Sequence, residues 1–196
     1  QAEDGIRDSV ASRGLGDVYK RQDIDSLPEW VDFESDTSPV WGVRLLWLSV
    51  FALISLFSGA FVSTTGGANT GCGVNGLYDS WPLCQGEIIV GIDDWTLQSQ
   101  VIHRFLVGAV EVTLLVASWA AWKELGSSST LCRWIHASAA VYGVNILIGA
   151  MYILSWDMSD GFEEWLSLVH LLLASMSFLI LSTAYVGSIT GREELV

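Results

Sequence analysis

The sequence predicts an all-α fold: an integral membrane four-helix bundle, up-down-up-down, with both termini cytoplasmic. Three observations carry that expectation. Four apolar segments each come near the ~20 residues a helix needs to cross a hydrocarbon core. The chain has a mean hydropathy of +0.44, ten Trp and only 16% charged residues among its 196, which is membrane-class composition. The basic residues that flank the segments gather on one side of them.

The chain divides as follows. Gln1 to Gln22 is polar, does not begin with Met, and resembles translated read-through of a sequencing adapter. It is set aside as a scar, with the consequence that the natural ends of the protein are left open. Its acids and bases cancel, so the net charge of −13 belongs to residue 23 onward, where 18 acids face 5 bases. A balance that acidic argues against nucleic acid as a partner, since phosphate contacts need clustered Lys and Arg. Residues 23–40 read as an acidic flexible tail, 41–189 as the transmembrane domain, and 190–196 as a cytoplasmic tail.

Segment one runs from about Trp41 to Val62 and carries no charge after Arg44. A long loop follows, from about Ser63 to Gln98. Segment two spans roughly Ser99 to Trp122, segment three Leu131 to Ser155, and segment four Glu164 to Gly187. Arg44, Lys123, Arg133 and Arg192 fall on one side of the four spans and only Arg104 near the other. The positive-inside rule therefore puts the long loop outside. Cys72 and Cys84 share that loop, where an oxidising exterior permits a disulfide. Metal binding is the alternative, and no local histidine supports it. Cys132, at the inner end of segment three, is expected to stay a free thiol.

Two histidines carry the chemistry. Intramembrane His is costly in lipid, so it faces a cofactor, a cavity or a polar partner. Segments two and four run in the same direction, and His103 and His170 fall in their first turns, at similar depth. Two imidazoles at matched depth can clamp one iron from both faces, as bis-histidine haem sites do. The plainer alternative is that each hydrogen-bonds a neighbouring helix. Arg104 is either a snorkelling anchor or a partner for a haem propionate. Gln100 lies one turn before His103, and Trp81, Pro82 and Cys84 are expected to make the loop a lid over the site. His136, at the opposite face, reads as interfacial, with a second haem or a quinone as its functional reading. Glu111 is a carboxylate well inside a span without a basic partner at its depth.

These residues resemble a known family. Ser63-Thr64-Thr65-Gly66-Gly67, then Gly71-Cys72, Asp79-Ser80-Trp81-Pro82-Leu83-Cys84-Gln85-Gly86 and Val101-Ile102-His103-Arg104 are similar to the first half of haem A synthase. Asn145-Ile146-Leu147-Ile148-Gly149 and Leu168-Val169-His170-Leu171-Leu172 look like its third- and fourth-helix motifs. The resemblance covers roughly Arg44 to Gly187. It implies a multi-pass enzyme of a prokaryotic plasma membrane that oxidises a methyl group of haem O to a formyl group, for terminal oxidase biogenesis. It also implies a bound haem of b or o type on His103 and His170. Usual members have two four-helix halves, so a single half would have to self-associate as a homo-oligomer, or is a truncation. Three departures stand out. Gln100 replaces a glutamate thought important for the reaction, and cannot act as a carboxylate base. Residues 74–78 lengthen the cysteine spacing, and Glu111 stands where the family has a small residue. Haem binding survives these changes better than catalysis does.

Three functions follow as expectations: a haem A synthase-like oxidoreductase, a bis-histidine b-type cytochrome that moves electrons without modifying haem, and a haem-free structural subunit. The electron donor or acceptor is left open by the sequence.

Overall fold

A computed structural model describes residues 31–33, 38–88, 94–159 and 161–190. The scar, most of the acidic tail, Asp160 and Arg192 lie outside the described residues. Residues 33–196 form one compact unit; residues 1–32 group separately, and only 31 and 32 of them are described.

Four helices make the unit: α1 (Pro39–Thr64), α2 (Trp95–Glu124), α3 (Thr130–Ser159) and α4 (Glu164–Thr190). Each is long and apolar enough to cross a membrane. They close into a ring in which every helix packs on its sequence neighbours and α1 meets α4. Phe61 touches Trp95 at one end of the first pair, with ring centroids 5.7 Å apart. At its other end Trp41 Nε1 donates to Glu124 at 3.1 Å. Those two contacts make α1 and α2 antiparallel. α3 and α4 are tied where the hydroxyls of Ser138 and Ser177 meet at 2.8 Å.

Proline at the first turn suits α1, because that position needs no backbone donor. Asp94 caps α2 by accepting from the Thr96 backbone N–H at 2.9 Å, which satisfies a donor the helix leaves open. That cap starts α2 four residues before the position hydropathy suggests, at Trp95 rather than Ser99. The outward faces are apolar, as at Phe57 (63% exposed) and Leu172 (67%). In a membrane such faces meet lipid, and every helical backbone group is satisfied within its own segment.

The interior is unevenly filled. Trp41, Leu45, Leu114, Leu131, Ile135 and Leu181 are fully buried and pack into one cluster. All belong to the half of the bundle where α1 and α3 begin and α2 and α4 end. The other half, under the long loop, holds the cavity.

Candidate functional site

The cavity has a volume of about 490 Å³, inside the roughly 300–1,000 Å³ range of ligand sites. His103 of α2 and His170 of α4 both line it. These helices are diagonal in the ring, so the two side chains meet across its axis. Their ring centroids are 6.5 Å apart and their planes nearly perpendicular, at 89°.

Each imidazole is seated by the helix that precedes it in sequence. Ser58 Oγ of α1 lies 2.8 Å from His103 Nδ1. The Asn145 carbonyl of α3 accepts from His170 Nδ1 at 2.9 Å. A glycine makes room at each seat. A Cβ on Gly59 would come within 3.0 Å of His103 Cε1, and one on Gly149 within 2.7 Å of His170 Cε1. Neither His103 Nε2 nor His170 Nε2 has a hydrogen-bond partner among the described residues. The sequence pointed to both histidines, and Asn145 and Gly149 bound the third-helix motif; Ser58 and Gly59 gave no signal there, because serine and glycine are common in apolar helices.

Two imidazoles alone do not complete a metal's coordination. Among the described residues no group of three or more His, Cys, Asp or Glu comes together. A metal held here must therefore bring its other ligands with it, as a haem does. Metal–imidazole bonds of roughly 2 Å on each side put the two ring centroids about 6 Å apart, which the observed separation matches. The residues present fit a bis-histidine haem.

The loop roofs the cavity. Cys72 and Cys84 form a disulfide and are buried with Leu97. Trp81 and Pro82, joined by a cis peptide bond, line the cavity from above, as the lid reading expects. Within residues 74–78, Asn75, Leu77 and Tyr78 are exposed, Tyr78 by 67%, while Val74 is half-buried and Gly76 buried. Arg104 is hydrogen-bonded within the protein. Its Nη1 donates to the Leu83 carbonyl at 2.7 Å and its Nη2 to Gln100 Oε1 at 2.8 Å, while the side chain still borders the cavity. Gln100 is buried, and its Nε2 donates to the Asn69 carbonyl at 2.8 Å. Both ends of that amide are thus committed, one to α2's own arginine and one to the roof.

Glu111 is not among the cavity-lining residues. Its Oε1 packs where a Cβ of Gly143 would lie, 3.2 Å away, and its Oε2 is buried without a partner among the described residues. His136 is exposed at the far end of α3, with Nδ1 against the Cys132 carbonyl at 2.8 Å. Neither joins the paired histidines. Cys132 is buried outside any disulfide, with its sulfur 3.5 Å from His136 Nδ1.

Comparison with known proteins gives a consistent picture. The haem A synthase of Oceanobacillus iheyensis is 30% identical over 121 residues, covering 60% of this chain and 37% of that protein. That of Staphylococcus haemolyticus is 31% identical over 121 residues, with 60% and 38% covered. That of Staphylococcus aureus is 29% identical over 160 residues, with 77% and 48% covered. The chain is therefore a distant homologue of haem A synthases over 60–77% of its length, and spans less than half the length of these relatives. No family model matches it, and no solved structure does.

Proposed function

We propose that this chain is a haem-binding membrane protein of haem A synthase type, which oxidises a methyl group of haem O to a formyl group. His103 and His170 would hold the haem, of b or o type, and Arg104 and Gln100 would border it. The observation that carries the reading is the meeting of two imidazoles across the bundle axis, each with Nδ1 tied back to a neighbouring helix. Distant homology to haem A synthases supports the same reading. The four spans and the bacterial relatives support localisation in a prokaryotic plasma membrane.

When bound, the haem iron supplies the oxidising chemistry; the protein supplies ligation, orientation and a water-poor pocket. The two histidines would hold the haem. The apolar walls and the disulfide-held roof exclude water from the space between them. Arg104 presents a cation at the cavity's outer rim, although its Nη1 and Nη2 already serve Leu83 and Gln100. Gln100 holds the roof at Asn69 and takes up no proton. Haem O is the implied substrate, and self-association with a second copy would restore a two-bundle assembly.

Gln100 favours a second reading. A neutral amide held at both ends by neutral and cationic partners gives no carboxylate for proton transfer. A bis-histidine b-type cytochrome needs none.

The first test is the pyridine haemochrome spectrum of the detergent-solubilised protein. Haem O or A supports the synthase reading, haem B alone supports the cytochrome, and no haem in well-supplied cells sinks both. The second test is expression in a strain lacking its own synthase. Haem A there establishes catalysis, and Gln100→Glu should raise its yield. A wild-type chain that never yields haem A in that strain removes the catalytic reading.

A further inference from the structure

Both Nδ1 atoms in the cavity have an oxygen neighbour, but the two oxygens differ in kind. A neutral imidazole carries one proton, on Nδ1 or Nε2, and the other nitrogen is the one that can bind a metal. The Asn145 carbonyl cannot donate, so His170 Nδ1 must carry the proton. A serine hydroxyl can play either part. Here its own proton is already committed, because Ser58 Oγ donates to the Ser55 carbonyl at 2.7 Å. Towards His103, 2.8 Å away, it offers a lone pair.

We infer that Ser58 is the positioning residue for His103: it holds the proton on Nδ1 and leaves Nε2 bare, facing the cavity's ligand. The inference rests on the haem reading for its purpose, and on the hydrogen bonds alone for its geometry. It makes the two ligands unequal. His170 is seated on main chain, which a change of the Asn145 side chain leaves in place. His103 is seated on one hydroxyl, which could turn and donate only by giving up its bond to Ser55. A ligand's outer partner fixes its ring orientation and raises its basicity, so Ser58 tunes one face of the site without touching the ligand.

The test reads tautomers directly, before any haem is added. The full-length protein, with its imidazole nitrogens isotope-labelled, is studied by NMR at mildly alkaline pH, where imidazole is neutral. A His136→Gln variant assigns the exposed third histidine. In the wild type, both His103 and His170 are expected to show a protonated Nδ1 and a bare Nε2. In Ser58→Ala the His103 pattern should collapse to a mixture of both tautomers, while His170 keeps its own and reports that the bundle is intact. Ser58→Thr should restore the wild-type pattern, because a helical threonine hydroxyl can bond the carbonyl one turn back. An unchanged His103 pattern in Ser58→Ala overturns the inference. In haem-loaded protein the same substitution frees the His103 ring plane to turn, so the low-spin ferric EPR signal should move from the highly anisotropic form that perpendicular imidazoles give. A signal identical to wild type also overturns it. A wild type with the expected tautomers that takes up no haem upholds Ser58's role and sinks the haem reading instead.

Discussion

Gly149 and Gly59 are small for a reason that only their neighbours reveal. A Cβ at Gly149 would sit 2.7 Å from His170 Cε1 and 3.0 Å from its Nδ1, closer than real contacts allow. Relief requires turning the ring off the Asn145 carbonyl. Gly149→Ala is therefore expected to cost about 1–3 kcal/mol, the usual range for overpacking, and to abolish the low-spin bis-histidine spectrum. Gly59→Ala, at 3.0 Å from His103 Cε1 alone, should do the same more weakly. Equal effects, or none, in thermal unfolding and optical spectra would contradict this account. The two histidines themselves are legible in the sequence, because a polar ring inside an apolar span is conspicuous. The seat of His103 is not, since nothing in a run of Ser and Gly marks which one faces a ring 45 residues further on, as Ser58 does.

The helices show the same division. Hydropathy locates all four spans, and the ends it misses are set by local chemistry it does not weigh. Asp94 is such a case. Its carboxylate is fully exposed and is held below its ordinary pKa by the hydroxyl and backbone N–H of Thr96. A group whose pKa is depressed on folding stabilises above its unfolded value and loses that stabilisation as pH falls through its folded value. The first turn of α2 should thus fray only below the usual carboxylate range, and Asp94→Asn should flatten that acid limb in amide exchange at Thr96 and Leu97. Between α3 and α4, Ser138 and Ser177 exchange hydrogen bonds inside the apolar interface, hydroxyl to hydroxyl at 2.8 Å and to each other's carbonyls at 3.2 Å. Such interhelical bonds contribute modestly in membranes, so Ser138→Ala should lower stability by only about 1 kcal/mol in a detergent unfolding titration. A loss several times larger would mean the pair does more than join two helices.

At the scale of the whole molecule, a filled half and a hollow half share one bundle. The filled half holds the cluster around Trp41, Leu45 and Ile135, and supplies stability without chemistry. The hollow half depends on its roof, which the Cys72–Cys84 bond closes across a separation of 12 residues. Replacing both cysteines by serine should cost roughly 2–3 kcal/mol by the loop-closure argument. It should also loosen Leu83, and so Arg104, at the cavity rim. Thermal unfolding with and without reductant checks the first effect, and the haem content of the purified variant checks the second. The hollow itself was not legible: matched histidine depth implies a meeting point, but the empty volume around it depends on Gly59, Gly149 and the roof acting together. His103 comes from the first hairpin of the bundle and His170 from the second, so a ligand that grips both is a strap across two halves of the chain. Anything that binds only the joined form stabilises it by mass action, about 2.7 kcal/mol at a hundred times its dissociation constant. A ligand held by both histidines would then favour docked hairpins over separated ones, on top of the packing that already joins α1 to α4 and α2 to α3.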